Sequence, residues 1–166
     1  MNKESQLFSI DVGITFLVFV GFIVIFVNLW NQNVRQLDES LLKQNLQEKI
    51  SFYSDYLVRT KGYPEDWNAS NVLLIGFAGD EENILLISKI EKFMTLNYTF
   101  ARSKMNLNGK EFYLKIIDVI NNKTLYSYGN LSYQSATNLI QVTRFCLVND
   151  STKLIPSKLL LGVWQD

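Results

Sequence analysis

A chain of 166 residues with 16 basic and 16 acidic side chains has no net charge, and so no basic field to gather nucleic acid. It contains no histidine, which removes histidine general bases, histidine zinc ligands and every Ser-His or Cys-His dyad. The single cysteine, Cys146, excludes an internal disulfide and lies in the apolar run 145–148, where a thiol packs as a small hydrophobe; an intermolecular disulfide or a reactive thiol is the alternative.

The first element is a long helix. From Val12 to Val34 the chain carries no ionisable side chain, and the stretch 14–27 is almost wholly Phe, Val, Ile and Leu. About 20 apolar residues cross a bilayer as a helix, whereas the apolar part of a secretory signal is about 7 to 15 and ends at small residues. Here Asn28, Trp30, Asn31 and Gln32 follow the run, so the segment is expected to stay in the mature protein as a single membrane span over about 12–34. No Gly or Pro occurs between Phe22 and Lys61, and Val34, Leu37, Leu41, Leu46, Ile50, Tyr53 and Leu57 recur at helical spacing. The pattern predicts one helix over about 7–60, closed by the Gly62-Tyr63-Pro64 sequence, with its second half laying an apolar stripe on a following domain at 61–166. Gly13 and Gly21 are positions where neighbouring helices can approach closely. Asp11 stands at the mouth of the apolar run, where a carboxylate is placed near the interface or paired.

These residues carry a resemblance. The opening 3–11, Lys-Glu-Ser-Gln-Leu-Phe-Ser-Ile-Asp running straight into the apolar helix, resembles the short basic leader of archaeal type IV prepilins and pilin-like proteins. That resemblance implies a leader within residues 1–6, cut by a prepilin peptidase between Ser5 and Gln6 so that the mature chain starts at Gln6. It also implies a docking role for Asp11, with Gln6 and Ser9 as further matching positions. Ser5 stands where the family usually has Gly, and Asp11 lies one place later than the family's usual acidic position. The implied partners are other pilin-like subunits, the peptidase, a membrane assembly platform and the lipid bilayer, with no nucleic acid and no cofactor. Gly62, Pro64 and Trp67, followed by Gly76-Phe77-Ala78, also resemble head-domain patterns of archaeal pilin-like proteins.

Beyond the helix, Val72–Phe77 reads as a buried strand, and the acidic residues Asp80, Glu81 and Glu82 as the opening of a helix carrying Ile84, Leu85, Ile87, Ile90 and Phe93. A further short helix is expected over about 98–107, ending at Asn108-Gly109. Then the texture becomes β: 111–119 and 125–128 form one hairpin around Asn121-Asn122-Lys123, and 138–148 and 153–164 a second. The expected fold class is α+β, an antiparallel sheet with one or two short helices and the long helix over one face.

Five Asn-X-Ser/Thr acceptors, at Asn68, Asn97, Asn122, Asn130 and Asn149, all follow the apolar segment, where this composition gives about two by chance. That excess suits a glycosylated outer surface, so the expected topology has the N-terminus inside and the domain outside the cell. Chemistry finds little purchase. The group 80–83 lacks calcium-loop spacing, Glu65 and Asp66 read as a solvated turn, and the 76–79 sequence Gly-Phe-Ala-Gly lacks the remainder of a phosphate loop. No enzyme is expected. The reading is a filament-forming structural subunit, with an anchored extracytoplasmic binding protein and an anchored hydrolase as the rival readings.

Overall fold

The computed structural model describes residues 3–136, 138–150 and 152–164, with side chains placed from 12 onward other than at 38, 39 and 42. Two compact units are present, Met1–Asn45 and Leu46–Asp166, and helix α1, Lys3–Arg59, belongs to both.

The first unit holds the apolar part of α1. Val12–Leu37, 26 residues with a mean hydropathy of 2.7, is long and apolar enough to cross a membrane. Every side chain over that stretch is exposed.

The second unit is a five-stranded sheet with helices on one face. Its elements are β1 (Ile84–Leu86), α2 (Ile87–Met94), α3 (Tyr98–Lys104), β2 (Glu111–Asp118), β3 (Lys123–Gly129), β4 (Ile140–Asn149) and β5 (Leu154–Trp164), with a 3-10 turn at Ser132–Ser135. Strand order is β1-β4-β5-β2-β3. Both expected hairpins are present: β2 pairs β3 antiparallel through a turn where Asn122 takes φ +49°, and β4 pairs β5 antiparallel over ten residue pairs. β2 and β5 pair antiparallel as well, so only β1, parallel to β4, departs from the antiparallel sheet.

Alternation explains the packing. Phe112, Leu114 and Ile116 of β2 face the same way as Leu159, Leu161 and Val163 of β5 and as Cys146 and Val148 of β4, all buried. Ile90 and Phe93 of α2, Ala101 of α3, and Ile50, Leu57 and Val58 of α1 complete this core. Phe93 joins the two sides, its ring 5.3 Å from Phe77 and 4.5 Å from Tyr128. Arg144 on β4 fastens the sheet to α1 with a forked contact, Nε to Asp55 Oδ1 at 2.7 Å and Nη2 to Asp55 Oδ2 at 3.1 Å.

Two local expectations are corrected. Val72–Phe77 is buried at Val72, Ile75 and Phe77 but is not a strand, because its backbone groups are used elsewhere. Leu74 exchanges hydrogen bonds with Tyr63, while the Phe77 and Ala78 N–H groups donate to Leu57 and Thr60 carbonyls at the end of α1. The acidic residues Asp80, Glu81 and Glu82 do not open a helix. They form a turn, with Asn83 at φ +63°, its N–H donating to the Val58 carbonyl, and the following Ile84–Leu86 is strand β1. α2 begins only at Ile87 and has no acidic residue in its first turn.

The end of α1 is thereby closed by chain that lies far along the sequence. Tyr56 accepts the last regular helical bond, from the Thr60 N–H, while the Leu57 and Val58 carbonyls beyond it accept from the Phe77 and Asn83 N–H groups. Gly62 then takes φ +82°, and a Cβ there would collide with the Trp67 ring, so glycine is required on both counts. The Trp67 indole N–H donates to the Gly76 carbonyl at 3.0 Å, and the Tyr63-Pro64 peptide is cis.

Candidate functional site

In the first unit the candidate surface is the apolar cylinder itself. Phe16, Leu17, Phe19, Phe22, Ile25 and Phe26 point in all directions around α1 and none is buried. Gly13 and Gly21 lie open on this surface: a Cβ added at either meets nothing within 4 Å. Ser5, Gln6 and Asp11 fall on the backbone of α1, but their side chains lie outside the described residues. By length and composition such a helix is able to cross a membrane, where lipid or other helices would surround it.

In the second unit a cleft of about 490 Å³ opens beside the end of α1, with Lys61, Glu65, Asp80, Glu81, Lys89 and Asn149 on its walls. Lys61 comes from the chain just after α1, Asp80 from the turn before β1 and Lys89 from the first turn of α2. Lys61 Nζ lies 2.9 Å from Asp80 and 3.4 Å from Glu65. Its hydrogen bond to Asp80 raises the lysine above its ordinary value and holds the Asp80 carboxyl below the usual carboxylate range. Lys89 is the more unusual group. It is only 9 % exposed, donates to the Lys61 carbonyl at 2.7 Å and the Ala78 carbonyl at 3.0 Å, and burial lowers its pKa. Its charge also complements the negative end of α1. A general acid needs a carboxyl raised by burial, whereas Asp80 is lowered by a cation. Glu65 and Asp66, read as a turn, do border this cleft, and the 76–79 segment runs between the end of α1 and β1.

A second polar cluster escaped the sequence reading. Glu111, at the start of β2, accepts from Tyr98 Oη at 2.8 Å, Arg102 Nη1 at 2.7 Å and Asn130 Nδ2 at 3.0 Å. The Asn130 amide is the chief cause that keeps this carboxyl below its ordinary value, with the Tyr98 hydroxyl and Arg102 acting in the same direction. Burial pushes the Tyr98 phenol up to about 12. Tyr98, Arg102 and Asn130 lie 9 to 19 positions from Glu111 in sequence, and only the folded sheet and α3 assemble them.

The five glycan acceptors divide by environment. Asn68, Asn97 and Asn122 are exposed, with Asn97 serving as the N-cap of α3 through the Thr99 N–H, while Asn130 and Asn149 are half-buried. Cys146 is buried on the core face, its Sγ 3.6 Å from the Ser157 carbonyl, and desolvation pushes its thiol up to about 12. The opposite, outward face of the sheet carries an apolar patch around Phe145, 74 % exposed, with Leu147, Val119 and Pro156 lining a hollow of about 400 Å³. No periodicity in β4 distinguishes it, because both faces of that strand carry apolar residues.

Compared with protein families, with curated proteins and with solved structures, the chain matches none of them.

Proposed function

We propose that this protein is a pilin-like structural subunit, held in the cytoplasmic membrane with its N-terminus inside and its domain outside, and assembled into a surface filament through α1. The observation that carries the reading is α1 itself, continuous from Lys3 to Arg59, apolar and exposed on every face over Val12–Leu37, and built into the core of a small α+β domain at Ile50, Leu57 and Val58. One element is thus both membrane span and domain scaffold. Exchange of lipid for neighbouring helices conserves apolar contact, so assembly depends on close packing, for which Gly13 and Gly21 leave room. The resemblance of residues 3–11 to a prepilin leader supplies the order of events: storage, cleavage next to Gln6, then docking through Asp11. Prepilin peptidase, a membrane assembly platform and sister subunits are the partners of this scheme.

The polar cleft at Lys61, Asp80 and Lys89 favours one other reading, a single-pass protein whose domain binds a small ligand outside the cell. Asp11→Ala separates the two. For a filament subunit, this variant is expected to remain folded and membrane-bound yet drop at least about tenfold from the sheared filament fraction, since a lost docking contact of about 1.4 kcal/mol or more has that effect. Unchanged distribution between membrane and sheared fractions would favour the anchored binding protein.

A further inference from the structure

We infer that Trp30, with the amides of Asn28, Asn31, Gln32 and Asn33 around it, is a lipid-interface site that fixes how deep α1 sits in a bilayer. The inference rests on the membrane reading above and goes beyond it by placing the outer boundary. The uncharged stretch Val12–Val34 has 23 residues, about 35 Å of helix at about 1.5 Å per residue, against a hydrocarbon core of about 30 Å. Held along the bilayer normal, it is longer than that core. The surplus falls at the C-terminal end, because the stretch from Val12 to Leu29 is uninterrupted by any amide but Asn28 and measures about 27 Å, whereas three amides crowd 31–33.

The side chains at this boundary have the chemistry of an interface. Trp30 is 61 % exposed and stacks on Phe26, ring centroids 6.2 Å apart, so its apolar body continues the apolar surface. Its indole N–H has no acceptor among the described residues, while that of Trp67 donates to the Gly76 carbonyl. A lipid carbonyl or interfacial water is the acceptor that such a ring takes at the headgroup level. Asn28 and Asn33 turn their amides back onto the helix, donating to the Val24 carbonyl at 2.9 Å and the Leu29 carbonyl at 2.8 Å. A donor satisfied in this way costs less beside hydrocarbon than a free one. The first charge on this side, Arg35, lies beyond the amides.

Fluorescence tests the placement directly, because Trp67 and Trp164 are each 1 % exposed within the second unit and Trp30 is the tryptophan open to lipid. The full chain, reconstituted in dioleoylphosphatidylcholine vesicles and recovered by flotation, is compared with Trp30→Phe using lipids labelled with a nitroxide near the headgroup or deep in the acyl chain. The Trp30-dependent emission is expected to be quenched about twofold more by the shallow label than by the deep one. Stronger quenching by the deep label would overturn the boundary. So would a chain that floats with the vesicles but is quenched by neither label, which would mean that another copy of the helix covers Trp30. A chain that does not float at all would remove the membrane reading together with this inference.

Discussion

Glu111 shows how single residues set the stability of the domain. Its carboxylate accepts from an amide, a phenol and a guanidinium, and these contacts hold its folded pKa below the ordinary 4.5. Between that lowered value and 4.5 the unfolded chain binds the proton and the folded chain does not, so stability falls as pH falls through this window and is fully present above it. Glu111→Gln keeps the shape, removes the charge and is expected to cost about 1–3 kcal/mol at about pH 7. The variant should also lose less further stability than the parent when acidified to about pH 3, in urea midpoints of the full chain in detergent. Equal acid losses in the two proteins would show that Glu111 does not carry the dependence.

At the scale of elements, α1 is two things in succession, and its last turns belong to the domain core. Ile50 is wholly buried and Phe52, two positions on, is 62 % exposed. Ile50→Ala is expected to cost about 2–5 kcal/mol and Phe52→Ala under about 0.5 kcal/mol, although phenylalanine is the larger side chain. Similar losses at both positions, by the same urea titration, would contradict the packing. The sequence makes this helix legible because its signal is local: a long run without Gly or Pro, an apolar stripe, then a glycine that must take positive φ at Gly62. The hairpins are legible for the same reason, through the turn at Asn122 and the break between β4 and β5. What was misread is set by distant chain. Ile84 and Leu85 fit a helical stripe with Ile87, Ile90 and Phe93 as well as a strand; the latter three are helical in α2, while β4, whose Leu147 pairs with Ile84, makes the first two a strand. Val72–Phe77 has strand composition, but its N–H groups are claimed elsewhere, Val72 by the Asn68 carbonyl, Leu73 and Leu74 by that of Tyr63 and Phe77 by that of Leu57 in α1. The cluster at Glu111 was hidden because its members come from α3, β2 and the chain after β3, with no spacing that unites them.

At the scale of the whole molecule, an apolar helical unit and an α+β unit share one helix, and the proposed function joins them as anchor and outward domain. The second unit folds around its own core and also leaves Phe145 and its apolar neighbours open on the outward sheet face, a surface available for contacts outside the chain. In the proposed function α1 becomes an assembly element once a short leader is removed. N-terminal sequencing with intact mass of the protein, taken from its native surface-filament or membrane fraction, is the decisive experiment. The mature chain is expected to start at or beside Gln6 and to keep the whole apolar helix; a chain that still begins at Met1 in that fraction would rule out prepilin processing and leave α1 as a plain anchor.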